Sequence, residues 1–121
     1  MRFYSFSHLL SHRAETTPDA PALRHGERTV TYIALWEAVR ARSQALRAEG
    51  RTCLAVFPDG SLDCVIEIFA ANIAGMQVVL MDDSLPDETI ASLLRYTDAD
   101  LLWGDEDLCA DLAPALTTGV A

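Results

Sequence analysis

The chain has 121 residues, of which half are hydrophobic and 22% are charged, a composition typical of one globular domain with its own core. Its formal charge of −9 argues against nucleic acid and anionic membranes as partners, because a strongly acidic surface repels phosphates. All nine basic residues are arginines. The sequence therefore lacks the lysine that Schiff-base chemistry and a phosphate-binding P-loop require.

No segment has the length and composition of a membrane span, since the longest apolar run, at residues 73–81, is broken by a glycine and a glutamine. The N-terminus lacks the apolar core of a secretory signal, so we predict a cytoplasmic location. The three cysteines are Cys53, Cys64 and Cys109. Their odd number and wide spacing predict reduced, structural thiols rather than a disulfide framework or a metal site.

The first fifty residues predict a helix, a hairpin and a second helix. Apolar residues at helical spacing place the first helix at residues 5–15, and a proline-rich break follows at 16–21. Two extended stretches around Gly26 predict a β-hairpin. Thr31 is the predicted N-cap of the second helix, which runs to about residue 48 and ends at Gly50. Its apolar face carries Leu35, Val39 and Leu46, and Arg40, Arg42 and Arg47 lie mostly on the opposite face.

From residue 52 onward, strands and helices alternate. We predict strands at 52–57, 77–81 and 101–103, helices at 61–74 and 107–113, and a further helix that begins at Ser84. Ser61 and Ser84 are the predicted caps of the helices that begin there, and Gly75 ends the first. The 61–74 helix is apolar nearly all round and is expected to be buried on most sides. In the helix that begins at Ser84, the residues expected to face inward are Ile90, Leu93 and Leu94.

This alternation predicts an α/β fold, with a layered parallel sheet flanked by helices on both faces. A short N-terminal helix and the hairpin precede it. Parallel sheets of this kind bind ligands beyond the carboxyl ends of their strands. Acidic residues at those ends are therefore the first candidates for a functional site.

Asp82 and Asp83 follow the strand at 77–81, and three interpretations compete for them. A phosphoryl-transfer site would use them with Mg²⁺, but it also needs a basic residue, typically lysine. A dinucleotide site needs a glycine-rich turn after the first strand, where "FPDGSLD" has one glycine. The favoured interpretation is local: Ser84 caps the next helix, Pro86 lies in its first turn, and the aspartates mark the end of the strand.

Other candidate residues also favour structural roles. His8 and His12 have the spacing of a metal-binding pair, but no third ligand follows at a defined spacing. An acidic run at a predicted strand end and helix start is explained by the helix dipole; it comprises Asp105, Glu106 and Asp107. Trp36 and Trp103 are predicted to be packing residues.

Two longer stretches resemble a known family. Residues 28–50 contain "VTYIAL", which is similar to the first core motif of the adenylate-forming superfamily, L-T-Y-x-E-L, with Ala34 in place of the glutamate. Residues 69–105 resemble its second motif, K-A-G-x-x-x-V-P-L-D-P-x-x-P. Here "AG" at 74–75 and "DDSLP" at 82–86 match, Asn72-Ile73 replaces leucine-lysine, and Met81 stands where proline is common. Residues 9–28 also resemble the opening of these enzymes.

The resemblance implies that the chain, residues 1–121, is a partial N-terminal subdomain of a ligase. Its parts would be a helix, hairpin and first-motif helix (1–50), strand–helix repeats (51–113) and a tail (114–121). Both motifs are structural in the family, so Asp82 and Asp83 carry over as scaffold. The phosphate loop, the ribose-binding aspartate and the catalytic lysine lie further along in family members. No catalytic, cofactor-binding or metal-binding residue is therefore assigned in this chain.

The function implied for the parent enzyme is ATP-dependent ligation of a carboxylic acid. With ATP and Mg²⁺ it would form an acyl- or aryl-adenylate and pass the acyl group to CoA or to a carrier-protein thiol. The fragment alone is expected to be inactive, and its expected partner is the remainder of the ligase, in the same chain or in another. The alternative is a non-catalytic domain that binds a partner or self-associates through exposed sheet edges, such as one part of a split ligase.

Overall fold

The computed structural model describes residues 5–117, which form six helical segments and five strands. In chain order these are α1 (Phe6–Thr16), β1 (Pro21–His25), β2 (Arg28–Thr31), α2 (Tyr32–Glu49), β3 (Cys53–Val56), α3 (Leu62–Ile73), β4 (Gln77–Leu80), α4 (Asp87–Thr97), β5 (Leu101–Trp103), α5 (Glu106–Leu112) and a 3₁₀ turn (Ala113–Ala115). β1 and β2 form the predicted antiparallel hairpin. β4, β3 and β5 form a parallel sheet in that order, so the predicted α/β fold is confirmed. Residues 118–121 of the predicted tail lie outside the described residues.

β3 is the centre of the structure, because it pairs with a strand on each side and is buried on both faces. Leu54 and Val56 point into a core formed with α1, α2 and α3. Cys53 and Ala55 point the other way, into a core formed with α4, α5 and the 3₁₀ turn. This alternation is that of a strand covered on both faces, as the sequence predicted.

The predicted helix ends are largely confirmed. The side chains of Thr31 and Ser61 accept hydrogen bonds from backbone N–H groups three residues on, at 3.3 and 3.1 Å. Gly50 and Gly75 adopt φ of 71° and 81° after α2 and α3. At Gly75, its own N–H donates to the Asn72 carbonyl and that of Met76 to the Ala71 carbonyl, the pattern of a Schellman motif.

The predicted cap of α4 is wrong. The helix begins at Asp87 with Pro86 as N-cap, and the Ser84 side chain makes no capping bond. A helix capped by Ser84 would require Leu85 to be helical, and a residue directly before proline disfavours that conformation. Instead, the Asp82 carboxylate accepts hydrogen bonds from the Ser84 N–H at 2.9 Å and from its hydroxyl at 2.7 Å, closing a turn between β4 and α4.

Three expectations about buried and exposed helix faces are also corrected. Leu93 is 38% exposed, because it lies about 100° around α4 from the fully buried Leu94. α3 is not buried on most sides, since five of its large apolar residues are only partly covered: Val65, Ile66, Ile68, Phe69 and Ile73. Two arginines expected on the solvent face of α2 bind α3 instead. Arg42 pairs with Glu67, and Arg47 donates to the Ile73 carbonyl at 2.6 Å.

A buried carboxylate joins the start of β5 to the start of β3. Asp100 is only 6% exposed. Its side chain accepts hydrogen bonds from the Thr52 N–H (2.9 Å), the Thr52 hydroxyl (3.1 Å) and the Cys53 N–H (3.1 Å). Its own N–H donates to the Cys53 carbonyl, and its carbonyl accepts from the Arg51 guanidinium. The sequence analysis did not identify this residue.

We expect Asp100→Asn to lower the free energy of unfolding by about 2–4 kcal/mol, because an amide NH₂ would face N–H donors that now bind a charged acceptor. Urea denaturation would measure the loss. Asp83→Asn is the matched control, an exposed carboxylate expected to change stability by only about 0–1 kcal/mol. Equal effects of the two substitutions would contradict the role given to Asp100.

Gly75→Val is expected to cost about 1–2 kcal/mol or more, because a β-branched residue disfavours positive φ. Beyond the adjoining residues, no heavy atom lies within 4 Å of a Cβ built at Gly75, so the Cβ itself has room and the positive φ is the source of the cost. Asp98 ends α4 with φ of 55° and provides the reverse test. Thermal melts should show Asp98→Gly unchanged or more stable; a tolerated Gly75→Val would refute the assignment.

Hydrogen bonds from Ser84 hold the pKa of Asp82 below its ordinary value. A carboxylate with a lowered pKa stabilises the fold at pH above its unfolded-state pKa, and that contribution is lost as the pH falls through the folded-state pKa. We expect Ser84→Ala to raise the pKa of Asp82 and to reduce stability near neutral pH but not in strong acid. NMR titration of the carboxyl group measures the shift; an unchanged pKa would contradict the assigned cause.

Candidate functional site

The carboxyl end of the sheet carries one aspartate after each strand. Asp59 follows β3, Asp82 follows β4 and Asp105 follows β5. Each side chain accepts a backbone N–H from two or three residues further on: Ser61 at 2.9 Å, Ser84 at 2.9 Å and Leu108 at 3.2 Å, respectively. The three aspartates therefore close the connections from strand to helix. Asp59 lies in the sequence Pro-Asp-Gly directly after a strand, which is a recognisable turn signal.

The electrostatics of these aspartates agree with a structural role. Hydrogen bonds from Ser61 and Ser84 lower the pKa of Asp59 and Asp82, so both are ionised at neutral pH. Asp83 is exposed. Arg95 is the only basic residue after position 51, so few cations are present in this half of the chain to balance a phosphoryl group.

Apolar side chains occupy the positions next to these aspartates. Phe57 and Met81, directly after β3 and β4, are 5% and 6% exposed. The Phe57 N–H donates to the Trp103 carbonyl at 2.9 Å. A Cβ at Gly104 would lie 3.1 Å from the Phe57 ring, a tight contact that would require the ring to move by a few tenths of an ångström. The sequence analysis missed the contact between Gly104 and Phe57. The feature of the sequence that could have indicated it is the glycine directly after "LLW".

The predicted histidine pair and the acidic run do not form a metal centre. Within residues 5–117, no group of three His, Cys, Asp or Glu side chains could hold a metal ion. His8 and His12 lie partly buried on α1. Asp105 caps α5, and Glu106 and Asp107 occupy its first turn, as the helix-dipole interpretation predicted.

The cysteines are free thiols. Cys53 and Cys64 are buried in the two cores, and Cys109 is partly buried on α5. Burial raises the pKa of all three, so each is a neutral thiol at physiological pH rather than a nucleophile. Trp36 and Trp103 pack against the core that contains Leu54, as predicted.

The ion pair between Arg42 and Glu67 is the most buried charged contact across two helices in the part of the chain that the structure describes. The Arg42 Nε and Nη2 atoms donate to the carboxylate at 2.9–3.1 Å. The hydrogen bond with Glu67 is the main cause that raises the pKa of Arg42. Because each group satisfies the other, the pair fastens α2 to α3 rather than offering a free acid or base.

Two shallow grooves lie away from the strand-end aspartates. One, of about 300 Å³, lies among α1, the hairpin, α2 and α3, and is lined by Phe6, Leu9, Leu10, Arg13, Ala22, Leu23, Tyr32, Leu35 and Phe69. The other, of about 270 Å³, is lined by Phe6, Ile68, Phe69, Asn72 and Val78. Both grooves are mainly apolar. Across residues 5–117, no helix is both long and apolar enough to cross a membrane.

Comparisons with known proteins agree with this scaffold. A family model described as AMP-binding enzyme matches residues 10–119. Bacitracin synthase 2 of Bacillus licheniformis is 29% identical over 111 residues, which are 89% of this chain and 4% of that protein.

Two solved structures share the fold at low identity. A protein described as a long-chain-fatty-acid CoA ligase from Rhodopseudomonas palustris CGA009 superposes with a TM-score of 0.85 at 17% identity, covering 93% of this chain and 30% of that one. The Klebsiella oxytoca NpsA N-terminal subdomain, in complex with 3-hydroxybenzoyl-AMSN, has a TM-score of 0.75 at 21% identity, covering 85% of this chain and 27% of that one. The chain thus spans less than a third of each of these three proteins. Since the family model matches most of its length, the chain belongs to the AMP-binding enzyme family.

Proposed function

We propose that this chain is the N-terminal scaffold of an ATP-dependent ligase that activates a carboxylic acid as an acyl- or aryl-adenylate and transfers the acyl group to a thiol. The match of residues 10–119 to the AMP-binding family carries the proposal. The likeness to an N-terminal subdomain in complex with 3-hydroxybenzoyl-AMSN supports it. The division of residues 1–121 into a first-motif part, strand–helix repeats and a tail remains part of this proposal.

The residues of this chain do not fit an ATP and Mg²⁺ site on their own. The three strand-end aspartates close turns or cap a helix, and Phe57 and Met81 are buried beside them. The sequence has no lysine to bind a phosphate. The ATP and Mg²⁺ used by the whole enzyme would be held by residues outside this chain, and no catalytic step is assigned to residues within it.

What this chain would supply is a rigid support. The core strand β3, the helices on either side of it and the Arg42–Glu67 pair hold the start of the domain in one arrangement. The rest of the ligase is the proposed partner, in the same polypeptide or in a separate one, with CoA or a carrier-protein thiol as the acyl acceptor. A cytoplasmic location remains a prediction.

A second candidate is a non-catalytic, partner-binding domain such as one part of a split ligase. The outer edges of β4 and β5 carry no paired strand within residues 5–117, and α3 is only partly covered, which favours a protein contact. The neighbouring coding sequence discriminates the two candidates. An in-frame continuation with the phosphate loop indicates a single chain, and a later reading frame that carries it indicates a split enzyme.

We expect the 121-residue chain alone to show no exchange of pyrophosphate into ATP with any carboxylic acid, and the whole enzyme to show it. Replacing Asp82 and Asp83 by asparagine in the whole enzyme should leave the exchange rate and the KM for ATP unchanged, because the pair is structural. Robust exchange by the chain alone would refute the scaffold role. A large rise in KM in the double variant would place these aspartates in the nucleotide site.

A further inference from the structure

The two grooves form one continuous apolar surface, which we call the Phe69 face and define by Phe6, Ile68, Phe69, Val78 and Leu80. Phe6 and Phe69 line both grooves, and their ring centroids are 4.3 Å apart. Ile68 and Val78 complete the wall of the second groove. Leu80 lies two residues beyond Val78 on the same side of β4 and is 67% exposed.

The Phe69 face adjoins the open edge of the sheet. The Gln77 N–H donates to the carbonyl of Thr52, directly before β3, at 3.0 Å, and the Met81 N–H donates to the Val56 carbonyl in β3 at 2.8 Å. Alternation along a strand therefore turns the amides of Val78 and Leu80 outward, where no strand pairs with β4 within residues 5–117. An apolar groove beside an unpaired strand edge offers side-chain contacts and backbone hydrogen bonds to the same partner.

The opposite face of the sheet is already covered. α4, α5 and the 3₁₀ turn pack over it, and the Thr117 N–H donates to the Ala99 carbonyl at 2.8 Å, beside the start of β5. The helices there carry an acidic surface that would have to be desolvated on docking: Asp87, Glu88, Glu106, Asp107 and Asp111. Among the described residues that line the two grooves, Arg13 is the one charged group.

We propose that the Phe69 face and the edge of β4 are the surface on which the rest of the AMP-binding domain docks, a step that rests on the proposed function. The NpsA N-terminal subdomain supplies the argument for this occupant. This chain matches it over 85% of its own length but covers only 27% of it. Most of the NpsA subdomain thus has no counterpart in this chain, and an equivalent remainder would have apolar surface to bury against this one.

The occupant has a defined chemistry. It presents a strand whose backbone pairs with the outward amides of Val78 and Leu80, and apolar side chains that fill the grooves. It also presents hydrogen-bond acceptors to the Arg13 guanidinium, which lines the first groove, and to the Asn72 carboxamide, which lines the second. Docking would bury the apolar side of α3, which the sequence predicted to be covered.

Site-specific photo-crosslinking in the cells that make the protein tests this proposal. A benzophenone amino acid replaces Leu80 in one variant and Tyr96, which is 87% exposed on α4, in the matched control. We expect the Leu80 probe to join peptides from the later part of an AMP-binding domain, in the same chain or in another, with at least about fivefold higher yield than the Tyr96 probe. Peptide mass spectrometry identifies the products.

Products that join Leu80 to a second copy of this chain, to an unrelated protein or to nothing would overturn the proposal, as would equal yields at the two positions. A second measurement separates this result from the proposed function. In the assembled enzyme, Leu80→Asp should lower pyrophosphate exchange at least about tenfold, and Tyr96→Asp should not. If the unaltered enzyme shows no exchange, the proposed function fails, and the crosslinks still decide the docking surface.

Discussion

The buried carboxylate of Asp100 is the contact on which the arrangement of the sheet depends. It accepts hydrogen bonds from the N–H and hydroxyl of Thr52 and from the N–H of Cys53. The residue before β5 is therefore fixed against the start of β3. A buried charge is tolerated only when hydrogen bonds satisfy it, which makes this register costly to change. β3 in turn sets the register of β4, and both cores form on the side chains that β3 presents.

With the register fixed, the carboxyl ends of the three strands lie at one edge of the sheet, where an α/β protein commonly binds its ligand. In this chain that edge is closed locally. Three aspartates accept hydrogen bonds from backbone N–H groups, and Phe57 and Met81 are buried next to them. We propose that the protein contributes shape and stability, and that its apolar Phe69 face and the edge of β4 bind a partner.

Local signals in the sequence predicted most of the fold. Thr31, Ser61, Gly50 and Gly75 act within three residues of their own position, so their roles could be inferred without knowing the rest of the structure. The start of α4 was also decided locally, but by the proline rather than by the serine. Pro86 restricts Leu85, and this effect outweighs the capping preference of Ser84.

Contacts distant in sequence could not be predicted in the same way. Asp100 and Thr52 are 48 residues apart, and Arg42 and Glu67 are 25 apart, so neither pair leaves a local pattern. The burial of α3 was overestimated for a related reason. Its apolar composition reports what the helix can bury, whereas its burial depends on which neighbours are present. The difference between the burial predicted for α3 and the burial observed identified the Phe69 face.

The central claim is that the strand-end aspartates are structural and that this chain holds no nucleotide site of its own. Titration of the isotope-labelled chain with Mg·ATP, followed through the amides of Ser61, Ser84 and Leu108, tests it most directly. These amides donate to the three aspartates. We expect no saturable shift up to about 1 mM nucleotide, the upper end of usual substrate affinities. Saturable shifts at these amides, abolished when Asp82 and Asp83 are replaced by asparagine, would contradict the account.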